Sequence, residues 1–420
     1  MAHESDGGTG SVAQAEEILA DRSVPGRVRR ERLHSFFWTR SDRGITVALA
    51  CALEGKRRPL AGMGTSYLSL FPGLRAEKAR AAQRLFAEPH VLSAVVSLLP
   101  WLPDELIDDH LSAYVAALSG PEPLPSVVYE LGLRRPDLLR PYVSALATNA
   151  DAQRAVLAGA PDATADACLE RFQHSGDMAP LTLLGLVRTE RAVQHLLSVR
   201  GVVAEPDWTA AVHLAGLLPD SGLPSGPTPA FAGFVLEHGA STHRVGGRAE
   251  HPVPLCPACG RPAAPLLRLT AADLPYQLRA DPTFFWYSCN CVLPESVTVR
   301  IGPEGIQVYD AAQGTPGAAG AIVRGERSLV LEPLPYQRGA SLAALPGRAS
   351  HQVGGLPTWL RPRSHPRCPE CGYSMQHLAT MDSGYSPFGA LRHEGVLYCF
   401  WCDACHVGST LHQTTETDDD

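Results

Sequence analysis

Eight cysteines in two quartets constrain this chain more than any other feature. The first quartet is Cys256-x2-Cys259 followed by Cys289-x-Cys291, and the second is Cys368-x2-Cys371 followed by Cys402-x2-Cys405. Between Cys259 and Cys289 lie 29 residues, and between Cys371 and Cys402 lie 30. Two close pairs at such a separation are how knuckles from distant hairpins converge on one tetrahedral ion. Both opening pairs read CPxCG. Proline stiffens the turn, and glycine after the second Cys permits a left-handed conformation that brings backbone N–H groups toward the thiolates. Of the 11 cysteines only Cys51 and Cys168 precede residue 250, so the chain divides into two unlike parts.

The chemistry of the quartets follows from compartment and spacing. The opening MAHESDGGTG lacks a basic start and an apolar core, so it is not a secretory signal. The longest apolar stretches, such as Ile45 to Leu53, are about half of what a bilayer requires. A cytoplasmic protein without membrane spans is expected, where thiols stay reduced and clustered pairs bind metal in preference to forming disulfides. A thioredoxin-like motif would supply one pair at a helix start rather than four pairs at matched separations. An iron-sulfur cluster also takes four thiolates, but paired knuckles suit structural zinc better. The expected cofactor is two zinc ions per chain, held by Cys256, Cys259, Cys289 and Cys291 and by Cys368, Cys371, Cys402 and Cys405.

The quartets belong to a longer duplication. One copy runs from His243 through Val245-Gly246-Gly247 to LCPACGRPAAPLLRL, then Phe284-Phe285-Trp286-Tyr287 into CNC. The other runs from His351 through Val353-Gly354-Gly355 to RCPECGYSMQHLATM, then Leu397-Tyr398-Cys399-Phe400-Trp401 into CDAC. Counting back three residues from the closing pair equates Trp286 with Cys399. Cys399 is therefore expected at a core aromatic position, outside the ligand set. His365, His393 and His406 lie near the second quartet but are not needed as ligands, and His243 and His351 read as parts of structural loops.

The first half carries helical periodicity, with apolar stripes at Leu92, Val95, Val96, Leu99 and at Ile107, Leu111, Tyr114, Val115, Leu118. Pro-Asp pairs at 103, 136, 161 and 206 mark helix starts, since proline at the first helical position sacrifices no bonded N–H and the carboxylate favours the positive end of the dipole. Their unequal spacing leaves two readings open, a loosely periodic HEAT-like or armadillo-like solenoid and a compact helical domain. The expected fold is α plus β: an all-α amino-terminal domain followed by a β-rich duplicated zinc-binding domain. The boundaries read as a flexible tail at 1–25, helices at 26–218, a linker at 219–238, the β domain at 239–415 and an acidic tail at 416–420. Within the β domain, Val297 to Ile301, Ile306 to Tyr309 and Leu329 to Leu331 read as strands and 311–321 as a loop.

The string from His351 through Val353-Gly354-Gly355, Pro357 and Trp359 to the knuckle at Cys368–Gly372 and the aromatic strand into Cys402 resembles the YwqG-like proteins of bacteria. It is more distantly similar to the amino-terminal domain of the eukaryotic programmed-cell-death-protein-two and Tsr-four family. The resemblance covers roughly residues 240–415, best in the last 70. It implies a β-rich domain of two similar halves and, in the eukaryotic relatives, chaperoning of a ribosomal protein through a peptide-binding surface. Some bacterial relatives look like immunity proteins. This chain differs in carrying two complete quartets and a helical first half.

Four thiolates saturate zinc and leave no position for a catalytic water, and no nucleophile, base and orienter set is recognisable. The expectation is a non-enzymatic protein-interaction or chaperone-like factor with a polypeptide partner. The alternatives are an immunity protein that neutralises a cognate toxin and a zinc-ribbon nucleic-acid binder. The net charge is -7. Two zinc-thiolate sites at about -2 each would take it to about -11, which argues against a nucleic-acid partner. The nearest basic patch, Arg27, Arg29, Arg30 and Arg32 beside Glu31, reads as an exposed helix face.

Overall fold

The structure is a computed structural model. It describes residues 6–39, 43–55, 58–86, 101–102, 105–106, 136–143, 156–218, 230–249, 251–289, 291, 296–303, 305–309, 311–314, 325–333, 351–357, 359–360, 365–391, 393 and 395–414. The stripes at Leu92–Leu99 and Ile107–Leu118, Pro103-Asp104, residues 219–229 of the linker, 315–321 of the loop and the acidic tail lie outside them.

The helical part begins with α1 (Asp6–Ala20), α2 (Gly26–Trp38), α3 (Arg43–Glu54), α4 (Arg58–Leu68) and α5 (Arg75–Phe86). The stretch read as a flexible tail is thus mostly helix. Val12 and Ala15, with Ile18 and Leu19 beside them, lie one turn apart and seal a core containing Leu33, Phe37, Cys51 and Tyr67. After a short turn at Pro136–Leu139 come α6 (Asp162–Ser175), α7 (Met178–Val187), α8 (Glu190–Ser198) and α9 (Glu205–Leu214). These four enclose a second core around Cys168, Leu184, Leu196 and Trp208, whose Nε1 donates to the Leu196 carbonyl at 2.8 Å. Three Pro-Asp pairs stand at helix starts, though only Pro136 is the first helical residue; Pro161 is the N-cap of α6 and Pro206 the second residue of α9. In the basic run, Arg29 and Arg32 both turn back to Asp21. No helix among the described residues is long and apolar enough to cross a membrane.

The second part is one large curled antiparallel sheet with two small satellites. Its strands begin with β1 (Phe231–Leu236), β2 (Arg244–Gly246), β3 (Val253–Pro254), β4 (Ala264–Arg268) and β5 (Thr283–Trp286). Next come β6 (Ser296–Gly302), β7 (Gly305–Val308), β8 (Gln313–Gly314), β9 (Glu326–Pro333) and β10 (His351–Val353). The chain closes with β11 (Gln376–Asp382), β12 (Tyr385–Ser386), β13 (Gly389–Ala390), β14 (Val396–Cys402) and β15 (Val407–Gln413). The large sheet runs β5-β4-β2-β9-β1-β10-β11-β14-β15-β6-β7. β1 falls inside the stretch read as linker, yet it is central, paired along its length with β9 and at its start with β10.

The duplication is written into this order. From the central pair β9 and β1, the sheet runs outward through β2, β4, β5 on one side and β10, β11, β14 on the other. Both units carry the same irregularity: the β4–β5 register shifts between Pro265 and Leu267, and the β11–β14 register between His377 and Ala379. One core inside the curl draws on both copies, with Phe284, Trp286, Leu266 and Leu267 beside Val353, Met381, Leu397 and Trp401. The helical part rests on the middle of the sheet. Gly73 donates its N–H to Glu332 Oε1 of β9 at 2.6 Å, Trp38 of α2 meets Phe388 edge-on, and Lys78 lies over the Phe234 ring of β1.

Candidate metal centres

Each opening knuckle is a turn whose backbone does the shaping. The Cys256 N–H donates to the Arg261 carbonyl and the Gly260 N–H to the Cys256 carbonyl, both at 2.8 Å. In the second copy Cys368 donates to Tyr373 at 2.8 Å and Gly372 to Cys368 at 2.9 Å. Gly260 and Gly372 have φ of 67° and 74°, the left-handed conformation that the CPxCG pattern calls for. In the closing CDAC knuckle His406 takes this place at φ 55°, its ring stacked on Trp401.

The folding of the strands then brings each quartet together. Cys256, Cys259, Cys289 and Cys291 form one group and Cys368, Cys371, Cys402 and Cys405 another, with ligand atoms all within 4.8 Å of one another in each. The Cys371 and Cys402 sulphurs stand 3.7 Å apart. Zinc-sulphur bonds of about 2.3 Å at tetrahedral angles place neighbouring sulphurs about 3.8 Å apart, so the spacing fits an ion at the centre. A disulfide would require about 2.05 Å. All eleven cysteines are free thiols. Each group is a four-sulphur cluster that can hold a metal ion, and the donor set matches zinc.

The sulphurs are electrostatically unequal. The Arg261 N–H holds the exposed Cys259 down to about 7, whereas burial pushes Cys289 up to about 12 and its bond to Cys259 raises Cys291. In the second group burial raises Cys402 and lifts Cys405 to about 11. Cys371 is lowered: burial opposes the shift, and the Tyr373 N–H and the neighbouring thiols outweigh it. A divalent cation favours the thiolate at all four sulphurs of a group and so reverses the upward shifts.

The other singled-out residues lie elsewhere. Cys399 is fully buried in the central core and belongs to neither four-sulphur group. Its equivalence needs correcting, because the register pairs Ala264 with Trp286 and Gln376 with Trp401, and Leu267 with Phe284 and Ala379 with Cys399. Cys399 therefore corresponds to Phe284, and Trp286 to Trp401. Counting from the cysteines misaligned them because Tyr287 and Ser288 stand between strand and knuckle in the first copy only. His243 Nδ1 accepts the Thr270 N–H at 3.1 Å and His351 Nδ1 the Asp382 N–H at 3.2 Å, so one imidazole holds the chain just after β4 and the other the end of β11. His365 Nδ1 meets the Met375 carbonyl, and His393 Nε2 the Met381 carbonyl. In the helical part His195 pairs with Asp166.

Two acidic braces escaped the sequence reading, having no spacing signal of their own. Asp403, inside CDAC, accepts from Trp401 Nε1 at 3.1 Å and from the Arg279 N–H at 2.8 Å. Glu370, inside CPEC, accepts from the Tyr309 hydroxyl and faces Arg300. Comparison of the chain with family models, with curated proteins and with solved structures finds no match.

Proposed function

We propose that this chain is a non-enzymatic, zinc-structured protein-interaction factor whose β domain is YwqG-like and binds a polypeptide partner. The observation that carries the reading is the pair of all-thiolate clusters, each closed by four sulphurs within 4.8 Å of one another. Four thiolates complete a tetrahedral shell, so the ion acts on the fold and offers no position to a substrate or an activated water. What remains for function is surface: a helical part resting on a continuous sheet, with side chains such as Tyr373 at the second knuckle and Val202 in the helical part exposed. The partner assignment rests on the resemblance of the duplicated HxVGG and CPxCG strings.

The metal half of the proposal is tested by elemental analysis of protein purified without added metal. About two zinc per chain are expected, and Cys256→Ser and Cys368→Ser should each lose about one and destabilise the domain. A content near zero removes the reading. The partner half is tested by affinity capture from native lysate with mass spectrometry. A specific, stoichiometric polypeptide supports it; turnover of a small molecule by protein that captures no polypeptide overturns it.

A further inference from the structure

We propose that the α1–α5 bundle is a lid over the outer face of the two central strands, latched by Glu332 of β9 in a receptor at the start of α5. The inference concerns how the two parts of the chain are joined and stands whether or not the clusters hold zinc.

Alternation along the strands defines the face that is covered. Val235, Leu329 and Leu331 pack with the core inside the curl, so Phe234, Val330 and Glu332, at the intervening positions, point away from it. In the ladder Ala232 stands opposite Glu332 and Phe234 opposite Val330, which makes the carboxylate and the ring diagonal neighbours on that face. The start of α5 meets both. Gly73 donates its N–H to Glu332 Oε1 at 2.6 Å, and Lys78 Nζ lies 5.8 Å from the centre of the Phe234 ring.

The chain ahead of α5 is shaped for this contact. Gly73 and Leu74 are successive left-handed residues, with φ of 65° and 54°, a conformation that leucine adopts against its preference. Such a turn at a helix start gathers N–H donors beside the positive end of the dipole, the makings of a carboxylate receptor. Lys78 holds the turn from within. Its N–H donates to the Leu74 carbonyl at 2.9 Å, and its ammonium reaches back to the Phe71 carbonyl at 2.7 Å, with the Trp101 ring centre 4.5 Å away. Lys78 is 1% exposed and is one of two lysines among 36 cationic residues. In a chain that otherwise uses arginine, a compact ammonium suits a closed space between a carbonyl and a ring better than a planar guanidinium does.

The lid can lift without undoing the rest. Among the described residues α1–α5 and α6–α9 enclose separate cores. The second bundle has its own seat on the β domain. Gly216, just beyond α9, approaches Leu356 so closely that an added Cβ would lie 2.6 Å from Cδ2, and the His213 ring lies 6.4 Å from that of His365. Apart from the latch, the first bundle touches the β12–β13 hairpin through Trp38, which is edge-on to Phe388 and can serve as a pivot. Opening uncovers Phe234 and the Lys78 ammonium together.

The test reads Lys78 by pulse labelling of the full chain with an amine-reactive ester, followed by mass spectrometry of its peptides, with the urea-unfolded chain as reference. Wild-type Lys78 should label at least a hundredfold more slowly than in urea. Glu332→Ala loses a charge-assisted bond and should speed native labelling at least tenfold. Metal content and hydrogen-exchange protection of 162–214 and 396–413 should stay at wild-type values. Glu332→Gln keeps an acceptor for Gly73 without the charge and should speed labelling at least threefold. Glu237→Gln, whose carboxylate bonds Arg327 within the sheet, should label as the wild type does. Wild-type labelling near the unfolded rate, Glu332 variants as slow as the wild type, or an equal rise in Glu237→Gln overturns the latch. A rise that comes only with loss of metal or of that protection overturns the lid, because the bundle then does not open by itself.

Discussion

Replacing His377 by glutamine should flatten the acid side of the stability curve. His377 sits in the β11 bulge and is almost wholly buried. Its Nδ1 faces the Gly355 carbonyl at 3.2 Å, and its Nε2 faces the Thr380 hydroxyl at 2.9 Å. A carbonyl only accepts, so Nδ1 carries the proton and Nε2 takes one from the hydroxyl. The neutral ring satisfies both partners, and burial lowers its pKa to about 3 from an ordinary 6.5. Because the folded value lies below the unfolded one, the unfolded chain binds the extra proton between these limits, and stability falls as pH drops through 6.5. At pH 5 the gap is 1.5 units at about 1.4 kcal/mol each, a loss of about 2 kcal/mol from this one ring. Glutamine can donate and accept but does not titrate. Urea unfolding of the β domain at pH 7 and pH 5, with free zinc held constant, reads the effect. Metal loss and the buried His351 and His393 act on both proteins alike, so the difference isolates His377. Equal losses in wild type and variant would refute the reasoning.

Three further outcomes follow from the packing and the caps. Cys399→Ala should leave the zinc content at its wild-type value by elemental analysis and cost about 1 kcal/mol, because the side chain fills a core position and binds no ion. Thr189→Ala should cost about 1 kcal/mol in denaturant unfolding of the helical part, since the Thr189 hydroxyl accepts the Ala192 N–H at the start of α8. Asp403→Ala should keep both ions but lower β-domain stability by about 1–3 kcal/mol, because the buried Trp401 Nε1 loses its acceptor.

The four-cysteine clusters were legible because their information is local. CPxCG specifies a turn within five residues, and the matched gap says which turns belong together. The two-part α plus β division was legible for a similar reason, since the period of apolar residues changes along the chain. Misreadings arose where a short segment takes its role from distant partners. Phe231–Leu236 follows a Pro/Gly-rich stretch and looks like its continuation, but β9 and β10 make it a central strand. Asp6–Ala20 opens with three glycines and reads as a tail until its Val12 and Ala15 meet the other helices. The equivalence of Cys399 with Phe284 depended on strand register, which two extra residues beside the knuckle conceal from any count along the sequence.

The central pair of the sheet also sets a timetable for synthesis. β1 is the first strand of its domain to leave the ribosome, but Leu236 pairs with Ser328 and Phe231 with Pro333, so its partner follows about a hundred residues later. During that interval the helices are complete, and the first opening knuckle and its strand can form, while β1 waits with both edges bare. The helical part, which in the finished protein meets Phe234 through Lys78 and Glu332 through Gly73, is a folded surface that precedes β1 in the chain and can shelter it. Chain order thus lets the amino-terminal domain serve as an internal escort for the strand on which the whole sheet is later assembled.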